Sequence, residues 1–167
     1  MIPEVFYQTV AQLSFTLLGL WWLVLQTKYS EWIHDRLRRR MATNITLYFL
    51  LPGSMSLLAL LATESRLLWQ VSFIIAAVIG ATTAILFLRD ALVSPWRNPM
   101  SIRVISLASG LGVALYILVI VVALVPDLFR ALGATPLTVA GIGVTLLVIV
   151  GVTLAWTYFV EPSASAK

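Results

Sequence analysis

Gln8, Gln12, Thr16, Gly19, Leu23 and Gln26 follow one another at steps of four, four, three, four and three residues. At 3.6 residues per turn these steps place all six on one face of a helix. Amides and hydroxyls in a row can do two kinds of chemistry in an apolar setting. They can replace part of the hydration shell of a passing ion, or hydrogen-bond to polar groups of another helix. Facing hydrocarbon, each unpaired amide would cost several kcal/mol, roughly 2–7 by apolar transfer. The stripe is therefore expected to meet protein or water, and Gln8, Gln12, Thr16, Gly19 and Gln26 are the candidate pore-lining residues.

Other chemistry is thinly represented. The single histidine, His34, lies beside Asp35 among basic residues, where a solvated loop imidazole is the plain expectation. With no cysteine and one histidine, neither a zinc site nor haem ligation by histidines within an apolar run has its ligands. No carboxylate pair, Ser–His dyad or lysine falls inside an apolar run. The stretch Ser106–Gly112 lacks the nucleophile-elbow pattern, and no phosphate-binding glycine loop is present. No enzymatic activity and no cofactor is expected. Tyr116, in the middle of an apolar run, needs a partner for its hydroxyl.

The elements that must position these residues are five apolar runs near 5–27, 43–62, 68–88, 104–125 and 137–160, none containing Asp, Glu, Lys or Arg. Each matches the ~20 residues needed to cross a ~30 Å hydrocarbon core. The chain is 60% hydrophobic and 11% charged with mean hydropathy +0.99, far more apolar than a soluble domain. The expected fold is all-α, a polytopic membrane protein of five transmembrane helices. Residues 1–160 form one domain, and 161–167 a disordered tail. Lacking a basic start and a cleavage site, the first run is expected to be a retained span.

The charges set the expected orientation. Lys28, Arg36, Arg38, Arg39, Arg40, Arg89, Arg97, Arg103 and Lys167 fall on one side of the alternating spans, against Arg66 and Arg130 on the other. By the positive-inside rule the N-terminus is outside and the C-terminus cytoplasmic. The pI of 9.9 thus reflects topology rather than nucleic-acid binding. Arg36, Arg38, Arg39 and Arg40, interleaved with Tyr29, Trp32, Ile33, Leu37 and Met41, suggest a surface helix over 28–42 contacting anionic lipid headgroups. Trp21 and Trp22 are expected at headgroup level.

Three features concern packing. Pro52-Gly53 in the second run predicts a kink or gate. Ser72, Ala76, Gly80 and Ala84 make a small-residue face on the third run. Ser106, Gly110 and Ala114, with Ala108 and Gly112 beside them, make one on the fourth; Gly141, Thr145, Gly151 and Ala155 do so on the fifth. Ser94–Pro99 predicts a stiff turn, and Pro126–Pro136 a proline-bounded outer loop.

Three functions fit. The first is a homo-oligomeric channel for passive movement of small ions, leaning toward anions because basic residues guard one mouth. The second is a structural or accessory subunit bound to an unrelated membrane protein. The third is a facilitative carrier of a neutral or lipid-like solute, with Pro52-Gly53 as a discontinuous helix. The expected location is a plasma membrane, of the bacterial inner-membrane type.

Overall fold

The computed structural model describes residues 2–27, 36–61, 66–93, 99–131 and 133–160. The surface positions at 28–35, including Tyr29, Trp32, Ile33 and His34, lie outside the described residues. So do most of the Ser94–Pro99 turn and the tail 161–167. Among the described residues five long helices and one short one follow in order: α1 (Ile2–Thr27), α2 (Arg36–Leu61), α3 (Arg66–Val93), α4 (Pro99–Leu124), α5 (Pro126–Ala131) and α6 (Pro136–Val160). The five long helices are each long and apolar enough to span a membrane.

Four of the helices start several residues before the uncharged runs, or continue beyond them, into charged turns. The surface helix expected at 28–42 is replaced, from Arg36 onward, by the opening turns of α2. The reason is local: Arg, Leu, Met and Ala propagate a helix well, and no glycine or proline intervenes before Pro52. The loop expected at 126–136 also contains a helix. Its α5 ends in a Schellman closure, with Ala134 N–H donating to Phe129 O at 3.0 Å and Gly133 N–H to Arg130 O at 3.0 Å. Gly133 supplies the required left-handed conformation at φ 78°. Thr135 then caps α6, its carbonyl accepting from Thr138 N–H at 3.0 Å, and Pro136 occupies the first helical position.

The bundle is organised around α2, which packs against α1, α3 and α6, while α4 bridges α3 and α6. Tyr48 reaches from α2 to the middle. Any side chain added at Gly112 of α4 would collide with its hydroxyl, and one at Gly151 of α6 would come within 2.9 Å of its Cβ. Its ring lies 5.8 Å from that of Tyr116, and Tyr116 in turn fills the space left by Gly80 on α3. The small-residue face of α3 is thus used inside the protomer: Ala76, Gly80 and Ala84 are all buried. On α4 the buried small residues are Ala108, Ser109 and Gly112. The row Ser106, Gly110, Ala114 is only partly covered or exposed.

Aromatic clusters close both ends. At one end Tyr7 meets Phe6 and Phe73 edge-on, Phe73 meets Trp69, and the Tyr7 hydroxyl donates to Leu137 O at 2.6 Å. At the other, Trp21 packs edge-on against Tyr158 at 5.4 Å. Its indole N–H donates to Thr46 Oγ1 at 3.1 Å and to Ala42 O at 3.3 Å. Trp21 is therefore a buried clamp between α1 and α2, whereas Trp22 is exposed.

Glycine substitutions test this arrangement. Gly80→Ala and Gly112→Ala should each lower stability by about 1–3 kcal/mol through overpacking, measured by thermal unfolding in detergent. Gly19→Ala, with nothing within 4 Å of the added methyl, should leave the melting temperature unchanged or slightly raised.

Candidate functional site

The stripe on α1 points away from the rest of the protomer. Gln8, Gln12, Thr16, Gly19, Leu23 and Gln26 are all exposed. The opposite face, with Tyr7, Ala11, Ser14, Trp21 and Leu25, is buried. This sidedness follows from the aromatic anchors: Tyr7 and Trp21 bond across to α6 and α2, and their fixed direction turns the glutamines outward. Of the five membrane-length helices α1 is the least covered, with 28% of its apolar window buried against 56% for α2. Its outer surface thus has no neighbouring helix among the described residues.

Hydrogen bonding separates the glutamines from the other outward polar residues. Thr16 donates to Gln12 O at 2.8 Å, Ser72 to Leu68 O at 2.7 Å, Thr82 to Val78 O at 2.8 Å and Thr153 to Ile149 O at 3.0 Å. A hydroxyl bonded to its own helix can face hydrocarbon at little cost. The amides of Gln8, Gln12 and Gln26 make no side-chain hydrogen bond among the described residues. Each carries two donors and an acceptor oxygen to be satisfied from elsewhere.

Gln70 provides the internal comparison. Its amide donates to Ala123 O at 2.7 Å, tying α3 to α4. The sequence reading did not single it out, nor Asn44 and Tyr48. An isolated polar residue in an apolar run has no spacing partner to mark it.

Pro52 and Gly53 are both buried inside an α2 that runs unbroken from Arg36 to Leu61. A side chain at Gly53 would come within 3.1 Å of the Phe15 ring and 3.2 Å of Ser14 Cβ. The helix continues through Pro52, and Gly53 gives α1 a close packing site there.

The four arginines differ in what they touch within the chain. Arg36 and Arg39 are exposed, free to meet phosphates. Arg38 lies over the Tyr158 ring, 5.7 Å from its centroid, a cation–π contact between α2 and α6. Arg40 forms an ion pair with Asp90 of α3. With both side chains more than a third exposed, that pair contributes at most about 1 kcal/mol. Elsewhere, a cleft of about 360 Å³ is lined by Trp69, Arg130, Thr135 and Leu137. Its guanidinium is already bonded to Asp127 at 3.0 Å.

No protein-family model, curated protein or solved structure matches this chain.

One substitution at two sites separates the roles. Gln70→Leu, which removes the side-chain donor to the Ala123 carbonyl, should lower stability by about 0.5–2 kcal/mol. Gln8→Leu and Gln12→Leu should leave the unfolding of the isolated protomer within about 0.5 kcal/mol of the parent.

Proposed function

We propose that the protein is a multi-pass plasma-membrane protein, N-terminus outside, whose copies assemble with their α1 helices around a shared axis to form a passive ion pore. The carrying observation is the outward row of glutamines, which make no side-chain hydrogen bond among the described residues. In lipid these amides would be orphaned; around an axis they meet water and one another. A primary amide is both donor and acceptor, so the same residue on a second copy satisfies it, as rotational symmetry requires. That self-complementarity favours further copies of this chain over an unrelated subunit.

On this reading Gln8, Gln12, Thr16, Gly19 and Gln26 line the path with neutral groups, consistent with passive transport rather than coupling to protons. Leu23 is the one large apolar member of the row and is 58% exposed. A ring of leucines would make a hydrophobic constriction that gates by dewetting. Glu4, exposed at the outer mouth, and Arg36 and Arg39, exposed at the inner end, would bias charge selection, with the greater basic charge leaning toward anions.

The test is flux through liposomes containing the purified protein, with its mass in native detergent extracts. A closed set of identical copies is expected. Gln12→Leu should reduce ion flux by roughly an order of magnitude, and Leu23→Ser should raise it several-fold. Flux indifferent to both substitutions would end the assignment of this lining. Recovery of one copy bound to a stoichiometric unrelated protein would instead support the accessory-subunit function for the same face.

A further inference from the structure

The interior of the protomer holds a second group of unsatisfied polar atoms, separate from the α1 stripe. Tyr48 is 1% exposed, Asn44 3% and Ser109 0%. The Tyr48 hydroxyl, the Asn44 amide nitrogen and the Ser109 hydroxyl have no hydrogen-bond partner among the described residues. Their placement relates them. Asn44 and Tyr48 are four residues apart on α2 and so share a face. The Tyr48 hydroxyl stands against Gly112 of α4, and Ser109 lies one turn before Gly112 on the buried side of that helix. Ala108, Ser109 and Gly112 thus give α4 a low-relief surface, a recess into which the Tyr48 hydroxyl of α2 fits against Gly112, with Asn44 one turn before Tyr48.

We propose that this recess is a hydrated site, in which ordered water bridges the Tyr48 hydroxyl, the Ser109 hydroxyl and the Asn44 amide. Buried polar groups in folded proteins are nearly always paired with protein or water, and a buried water needs two to four polar partners. The unpartnered serines Ser14, Ser56 and Ser109 can each rotate to bond to their own helix, so the site rests on Tyr48 and Asn44, with Ser109 a further partner by its place one turn from Gly112. A tyrosine hydroxyl extends beyond its own backbone and has no such recourse. The ligand's chemistry follows from the atoms. The unmet group of Asn44 is an N–H donor, which calls for an acceptor oxygen, while the two hydroxyls can donate or accept. Water satisfies all three; a bare cation would be repelled by the amide hydrogens. The site joins α2 to α4, two helices that otherwise meet mainly through the Tyr48–Tyr116 ring contact.

The proposal concerns the single protomer and stands whatever the oligomer. Its test is radiolytic hydroxyl-radical labelling of the full-length protein in lipid nanodiscs, read by peptide mass spectrometry. Radicals generated from a bound water mark the side chain beside it even where bulk water has no access. Tyr48 should be oxidised several-fold faster than Phe73, which is equally buried among the Tyr7 and Trp69 rings. Ser109→Ala and Asn44→Leu should reduce labelling at Tyr48 and leave Phe73 unaffected. Tyr48→Phe should also lower the melting temperature, and by less in a Ser109→Ala background, because the two groups share the same water. Labelling of Tyr48 no faster than Phe73 would overturn the site. A Tyr48→Phe variant as stable as the parent, or more so, would also overturn it, since deleting a truly unpaired hydroxyl costs nothing.

Discussion

The packing of the Tyr48 side chain of α2 against Gly112 of α4 and Gly151 of α6 is the constraint on which the bundle rests. Five helices this apolar gain little from hydrophobic burial against one another once their surroundings are also apolar. Association then depends on fit, with small residues letting backbones come near and aromatic side chains filling the space they leave. Tyr48 does this twice, and Tyr116 repeats the device on Gly80. The two rings stack at an interplanar angle of 33°, so α2, α3, α4 and α6 share one aromatic–glycine centre. The peripheral contacts, an ion pair, a cation–π contact and two edge-on aromatic clusters, then fix the ends.

Helix α1 stands apart from that centre. It is attached along one side by Tyr7, Trp21 and the Phe15–Gly53 packing, and it contributes no residue to the Tyr48–Tyr116 stack. Because its anchors face inward, its outer face is free to differ chemically from the outer faces of the other helices, and it does. Leu67, Ile75, Ile79 and Leu86 on α3, and Leu107 and Leu111 on α4, present hydrocarbon. The corresponding surface of α1 presents the amides of Gln8 and Gln12 one turn apart, the hydroxyl of Thr16 one turn on, and the amide of Gln26 near its end.

The five helices were legible because length and absence of charge suffice to mark them. Their inward faces were not. In a helix apolar all round, the buried and the outward sides carry the same residue types, so periodicity conveys little. Ile105 and Leu107 read alike, although the first is 0% and the second 75% exposed. The glutamine stripe was visible because its polarity broke that uniformity at helical spacing, and the structure places the whole row on one exposed face. Tyr48, Asn44 and Gln70 were missed for the converse reason: each is isolated in its span and needs the facing helix to give it meaning. Pro52-Gly53 lies within a continuous α2 and packs on α1. A proline and glycine side by side imply a break only if nothing packs into the space, and Phe15 and Ser14 do.

Hydrogen bonding sorts the polar residues of this chain more sharply than exposure does. Threonines and serines such as Thr82 and Ser72 close on their own helices and ask for nothing. Gln70, Tyr7 and Trp21 bond across to a neighbour and serve the fold. The outward glutamines and the inward Asn44, Tyr48 and Ser109 do neither. In an apolar environment a polar group that the protein does not satisfy is retained against a standing cost of about 1–3 kcal/mol or more. The two places where that cost is concentrated are therefore the places where matter from outside the protomer must enter the account. On the face of α1 the proposed occupant is another copy of the chain, because an amide both donates and accepts; beside Tyr48 it is water, because the polar atoms there are mixed donors and acceptors.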